Sequence, residues 1–324
     1  MSGENSYVKI SGAIGIKILK NSDTNKKIFI FYDDHSNTNY CSFNNLKSKR
    51  NLFISELLNS IINKDVGMVL EEPFIDSDSK IKILWENSEH LFLFRKFYTK
   101  LMTKCSNEKI CKLFPVDVRL SLFEISPDEI IFNVSKQKPE YNIRLNKYFE
   151  NIHYLFDLNK STSGINSICV FIKKVFNVCK SSDYYKLLKN KIIDFSNKHN
   201  IYSTEDTIYD VISSCVESKS SKFIYEEGYP YNSTQNSDFI DELDKITSAI
   251  MELYSVILIS LLPNKNIIFF AGYYHSNNIS YILQKYYNFK QEYAFGNTDN
   301  IEKRKPTEIK NCIKINKKYF NLFQ

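Results

Sequence analysis

Four apolar runs of this chain end in side chains of the kinds that bind metals or move protons. IFIFY runs into Asp33-Asp34-His35, MVL into Glu71-Glu72, FPV into Asp117-Val118-Arg119, and IIFFA into Gly272-Tyr273-Tyr274-His275. In an open α/β sheet, ligands bind outside the carboxyl ends of the strands. If the four runs are parallel neighbours, two imidazoles, several carboxylates and a guanidinium converge along one edge. Each group also has a plainer use. Asp33 or Asp34 can turn the chain after a strand, and Glu71 and Glu72 before Pro73 can be solvated loop residues. Asp117 and Arg119, two apart on one strand face, can form a structural ion pair. His90, His153 and His199 fall in helical patterns without a carboxylate partner in sequence and read as surface or satisfied residues. The recurrence of polar tips at four separate strand ends favours a site.

The elements that would position these groups follow from hydrophobic periodicity. VKISGAIGIKIL, a polar NSDTNKK turn and IFIFY read as a hairpin. LKSKRNLFISELLNSIINKD spaces Leu52, Phe53, Leu57, Leu58, Ile61 and Ile62 at helical intervals, VGMVL is a second strand, SEHLFLFRKFYTKLMTKC a second helix and KLFPVDVRL a third strand. This alternation predicts an α/β fold with a central, mainly parallel sheet flanked by helices. Ser126-Pro127-Asp128-Glu129 carries helix-start signals, and the patterns stay helical to about residue 262 apart from a polar loop at 225–238. NIIFFAG is a late strand, SNNISYILQKYY a helix after it, and NCIKIN one more strand. The expectation is a single domain over 1–324 with a large helical insertion, 126–262, between N-terminal and C-terminal strands; a separate helical subdomain is the alternative.

Composition excludes several classes. The 324 residues are 43% hydrophobic and 25% charged, with eight Gly and seven Pro, which is globular rather than disordered or fibrous. The net charge of +6 is spread along the chain, and the runs at 47–50 and 302–305 are too short for a binding stripe, so nucleic acid is not an expected partner. Seven cysteines without C-x-x-C spacing suggest neither a disulfide framework nor a cysteine zinc site. With no leader pattern at the N-terminus and no apolar stretch long enough to span a bilayer, a cytoplasmic location is expected. The wealth of Asn, Lys, Ile, Tyr and Phe is that of an AT-rich genome, such as those of amoebal giant viruses. A viral protein of the host cytoplasm or virion fits that bias. The chain contains no G-x-G-x-x-G, no phosphate-binding G-x-x-x-x-G-K-S/T, no G-x-S-x-G and no H-E-x-x-H.

The order of a strand ending in G-x-x-H, one ending in Glu, one with an acidic residue and Arg, and a late strand ending in G-x-x-H resembles the TraB/Tiki, erythromycin-esterase and ChaN-like superfamily. The late motif stands intact as Gly272-Tyr273-Tyr274-His275, while the early one, Tyr32-Asp33-Asp34-His35, has Tyr where the family has Gly. The resemblance touches residues 28–120 and 265–285. It implies a hydrolase site built on the two histidines and the glutamate, with Gly272 in cofactor binding. Some members are thought to use a divalent metal. His35, Glu71 and His275 would then be a three-ligand set for zinc, manganese or cobalt that leaves a position open for water. Without a metal, Glu71 would be a general base, a histidine the acid and Arg119 an oxyanion stabiliser, with Asp117 in support.

Adjacent glutamates on an extended strand cannot both face one site. The resemblance aligns Glu71 with the functional acid, so Glu72 is expected to turn towards a flanking helix or solvent. The reading is a hydrolase, metal-assisted, acting on a small-molecule or peptide substrate. A catalytically inactive derivative of the fold, serving as a binding or structural protein, is its rival.

Overall fold

The computed structural model of the protein describes residues 7–35, 37, 39–41, 51–62, 64–73, 89–105, 112–125, 130, 142–159, 164–217, 238–299, 309–316 and 319. The helix-start signals at 126–129, the basic runs at 47–50 and 302–305, and all but the last residue of the loop at 225–238 lie outside them. Two compact units form, one from residues 1–116 and 258–324 and the other from 117–257.

In the first unit, a six-stranded sheet has the order β6-β5-β7-β3-β2-β8, built from β2 (Gly15–Asn21), β3 (Lys26–Asp33), β5 (Val66–Pro73), β6 (Leu113–Asp117), β7 (Asn266–Gly272) and β8 (Phe289–Gly296). Its centre is parallel: β7 pairs in parallel with both β3 and β5, whereas β2 pairs antiparallel with β3 and β8. Strands covered on both faces need apolar residues at every position. NIIFFAG meets that demand, being buried from Ile267 to Gly272. The fold class expected from the sequence is the one found.

The N-terminal run divides where the sequence reading kept it whole. Gly12 has φ +88°, a region open to glycine and strained for side chains, and there the chain leaves one sheet for another. β1 (Tyr7–Ser11) pairs antiparallel with β9 (Cys312–Asn316) and parallel with β4 (Asn51–Phe53) in a three-stranded sheet. Leu52 and Phe53, assigned by spacing to a helix, belong to β4, and β8 went unread. The β2–β3 hairpin forms as expected. Its turn is set by Asn21 Oδ1, which accepts from the backbone N–H of Asp23 (2.9 Å) and Thr24 (3.0 Å).

One core cluster joins the two sheets. Val8, Ile10, Ile313 and Ile315 of the small sheet cluster with Phe29, Phe31, Met68, Leu70, Ile268 and Phe270 of the large one. Two helices share that core: α1 (Ile54–Ile61) through Ile54, Leu57, Leu58 and Ile61, and α2 (Glu89–Cys105) through Phe94, Tyr98 and Leu101. Their spacing of three and four residues is what places these side chains on one helix face.

The second unit is helical, with α3 (Arg119–Leu122), α4 (Leu145–Tyr148), α5 (Glu150–Leu155), α6 (Ser167–Asn177), α7 (Asp183–Lys198), α8 (Ile208–Glu217) and most of α9 (Asp238–Leu261). Side-chain caps fix two starts: Asn166 Oδ1 accepts from Ile168 N at 2.8 Å, and Ser182 Oγ from Tyr185 N at 3.3 Å. Phe149 is the hub of an aromatic core with Phe123, Phe195 and Phe239. α10 (Tyr273–Tyr286) belongs to the first unit and follows β7 without a loop. Among the described residues no helix is long and apolar enough to cross a membrane.

The end of α9 is held by a buried cation. Lys26 Nζ donates to the carbonyls of Ile259 (2.9 Å), Ser260 (2.8 Å) and Leu262 (2.7 Å). These last-turn carbonyls lack helical partners and sit at the negative end of the helix dipole. Burial lowers the Lys26 pKa, yet the ammonium answers three acceptors at once. Lys26→Met should therefore cost about 2–3 kcal/mol, the range for losing a charged hydrogen bond in the interior. Urea denaturation checks this, and an unchanged midpoint would show that the cap is dispensable.

Candidate functional site

The site grows from the end of β3. Asp33 is the last strand residue, and its carboxylate is wholly buried. An unpartnered carboxylate there would be costly. Two histidines answer it: His35 Nδ1 lies 2.5 Å from Oδ2, and His90 Nε2 lies 2.8 Å from Oδ1. His90 comes from the first turn of α2, delivered across the core rather than along the chain.

The charges set one another. Burial pushes the Asp33 pKa upward, but the charge and hydrogen bond of His35, with those of His90, hold it far below the usual carboxylate range. Burial likewise pulls His35 down; the Asp33 charge and hydrogen bond, joined by the charge of Glu71, outweigh it and raise His35 to about 9. His35 is therefore an imidazolium at neutral pH, with its side chain 24% exposed. Tyr40 engages the ring nitrogen of His90 that Asp33 leaves free, and Asn311 packs beside the other. The Tyr40 hydroxyl lies 2.9 Å from His90 Nδ1, and Asn311 Nδ2 lies 3.3 Å from His90 Nε2.

β5 and β7 supply the facing groups. Glu71 Oε2 accepts from the backbone N–H of Gly272 at 2.7 Å, and Oε1 lies 3.5 Å from His275 Nε2. Gly272 closes β7, and His275 is in the first turn of α10, one step beyond the strand end where the sequence placed it. A Cβ at Gly272 would stand 3.1 Å from His35 Nε2 and 3.5 Å from Glu71 Oε2. The absence of a side chain there is what lets the His35 tip and the glutamate approach the same stretch of backbone.

His35, Glu71, Gly272 and His275 thus meet at the carboxyl ends of adjacent strands. Glu72 turns away: it is 3% exposed, and its Oε1 lies 3.6 Å from Arg95 Nε of α2. Asp117 and Arg119 engage each other, with Nε 2.8 Å from Oδ1 and Nη2 3.0 Å from Oδ2, and Arg119 begins the short helix α3 rather than extending the strand. Tyr32 is wholly buried, and its ring packs 5.8 Å from that of Tyr273. As the strand neighbour of Asp33 it faces the other side of the sheet, so it does not fill the space beside His35.

The sequence reading passed over His90, Tyr40 and Asn311 and gave Asp33 a turn. The signal lay in number rather than spacing: an aspartate ending a strand buried throughout needs partners, and two of five histidines provide them. The cysteines also depart from expectation. Cys41 and Cys312 form a disulfide across 271 residues, a separation that no local spacing motif can reveal.

The metal implied by the resemblance would take its ligands from His35, Glu71 and His275. Among the described residues no three His, Cys, Asp or Glu side chains form a group that could hold an ion. His35 gives Nδ1 to Asp33, which leaves Nε2 as the ring nitrogen beside Gly272 and Glu71. The arrangement sets an imidazole and a carboxylate on either side of Gly272.

The ion pair has a pH window. His35 is raised, so its contribution to stability is full below an unfolded value of about 6.5 and fades as pH rises through about 9. Asp33 is lowered, so its contribution is present above about 4 and lost in stronger acid. Asp33→Asn should therefore destabilise most between about pH 4 and 9 and return His35 to 6.5 or below, read by thermal melts and imidazole NMR. A His35 titration unmoved by the substitution would contradict this electrostatic account.

No family model, curated protein or solved structure matches the chain, so its chemistry rests on the geometry of these residues.

Proposed function

We propose that the protein is a hydrolase acting at the carboxyl ends of β3, β5 and β7. The observation that carries this reading is His35, oriented by buried Asp33, facing Glu71 across Gly272, with its pKa raised to about 9. A cationic acid beside a carboxylate base is the pairing that general acid–base hydrolysis requires. Glu71 takes a proton from water while the water oxygen bonds to an acyl or phosphoryl centre. His35 Nε2–H gives its proton to the leaving group as that bond breaks, and the proton on Glu71 returns to His35 through solvent. His275 Nε2 lies 3.5 Å from Glu71 Oε1, on the side of the carboxylate away from Gly272 N–H. Asp117 and Arg119 are not needed in this scheme. The partial exposure of His35 suits a small substrate or a narrow peptide segment.

Chromogenic carboxylic esters, phosphate mono- and diesters and a fluorogenic peptide, each assayed with and without zinc, manganese or cobalt, test the proposal. Wild type should turn over one class, and Glu71→Gln and His35→Gln should each lose about 10²–10⁴-fold in rate. Turnover should fall as pH rises through about 9, where His35 gives up its proton. Equal rates in wild type and both variants would refute the assignment. Binding of such compounds without turnover would favour the inactive, ligand-binding derivative.

A further inference from the structure

The segment that leaves β3 after Asp33 is strapped to the start of β9. Asn311 N donates to Asn39 O at 2.9 Å, Asn311 Nδ2 to Asn37 O at 2.9 Å, and Asn37 Nδ2 to Ile309 O at 2.9 Å. Tyr40 and Asn311 form an isolated parallel bridge. Immediately after each of them comes a cysteine, and the pair Cys41–Cys312 closes the strap covalently. Tyr40 also holds His90, its hydroxyl 2.9 Å from Nδ1 and accepting from the His90 backbone N–H at 3.2 Å, while Asn311 Nδ2 packs 3.3 Å from Nε2. The disulfide therefore fixes the register at which both reach His90. His90 in turn shares the Asp33 carboxylate with His35.

We infer that the Cys41–Cys312 disulfide is a redox lock on this chain of contacts, seating His90 and Asp33 behind His35 when oxidised and releasing them when reduced. Its effect on turnover rests on the proposed hydrolase; its effect on side-chain position does not. Access is uneven. Cys41 is 4% exposed, whereas Cys312 is only partly buried, which makes Cys312 the more approachable residue of the pair. A thiolate of a dithiol attacks Cys312 Sγ, and Cys41 departs as a thiolate and takes a proton. The second thiol of the reductant then displaces Cys312, which is also protonated. Two electrons and two protons pass to the protein, and the dithiol ends as a disulfide. What remains of the strap is hydrogen bonds, each of which water can replace at small net cost.

The full chain, prepared without reductant and then treated with dithiothreitol, tests the lock. Alkylation mass spectrometry follows the two thiols, and imidazole ¹⁵N spectra follow His90 and His35. Reduction should shift both sets of resonances and lower turnover of the hydrolysed probe at least tenfold, and reoxidation should reverse both. The double variant Cys41→Ser, Cys312→Ser should resemble the reduced protein and ignore reductant. Tyr40→Phe, which leaves the disulfide intact, should move His90 even in the oxidised protein. Free alkylation of Cys41 and Cys312 before any reductant is added would overturn the inference. So would unmoved His90 resonances after proven reduction. If circular dichroism shows that reduction unfolds the chain, Tyr40→Phe decides: an unmoved His90 there overturns the lock. Failure of wild type to hydrolyse any probe would count against the proposed function alone, since the resonances are read without turnover.

Discussion

A single buried carboxylate organises this protein's candidate site. Asp33 lies at the end of a strand whose flanks are closed by β7 and β2, where water cannot solvate a charge. The interior accepts the charge because two imidazoles from different elements reach it, and each placement has consequences elsewhere. His90 requires α2 to begin where it does, over Gly12, whose missing side chain leaves room for the ring: a Cβ there would stand 3.0 Å from His90 Cβ. His35 requires the chain to turn back immediately after β3, which the hydrogen bonds of Asn37 and Asn311 secure. Small residues and amides in these loops thus serve an electrostatic need at the strand end.

The second half of the site follows from strand order. β7, although late in sequence, lies between β3 and β5. Gly272 therefore stands between His35 and Glu71, in contact range of both. Its backbone N–H orients Glu71 and its bare Cα admits His35. Neither task could be shared with a side chain, which gives this glycine a physical reason for its place in G-x-x-H.

Much of this was legible in the sequence. Apolar runs buried on both faces announced the central strands, and polar residues just past them announced the edge where chemistry could gather. Glu71, His35, Gly272 and His275 drew attention because they follow such runs, and the fold brings them together. What stayed hidden depends on distance across the fold. His90 looked like an ordinary helical residue because its carboxylate lies 57 positions away. Cys41 and Cys312 looked unpaired because a disulfide leaves no periodic trace. β1 looked like part of a hairpin because alternation cannot tell which sheet a strand joins; only the positive φ of Gly12 separates them. β8 escaped notice because its mostly exposed residues lack an apolar run.

The central position of β7 also governs how the chain must be assembled. During synthesis β3 and β5 emerge early, yet the strand that pairs with both lies beyond Asn266. At about 5–20 residues per second, the ribosome needs roughly ten to forty seconds to travel from Pro73 to that strand. Throughout that interval the two strands expose unsatisfied edges rich in Ile, Phe and Val, which are templates for pairing with other chains. Completing the sheet is thus a late event with high contact order. The helical unit, which gathers residues 117–257, is contiguous in sequence and has left the ribosome before the middle strand of the sheet does.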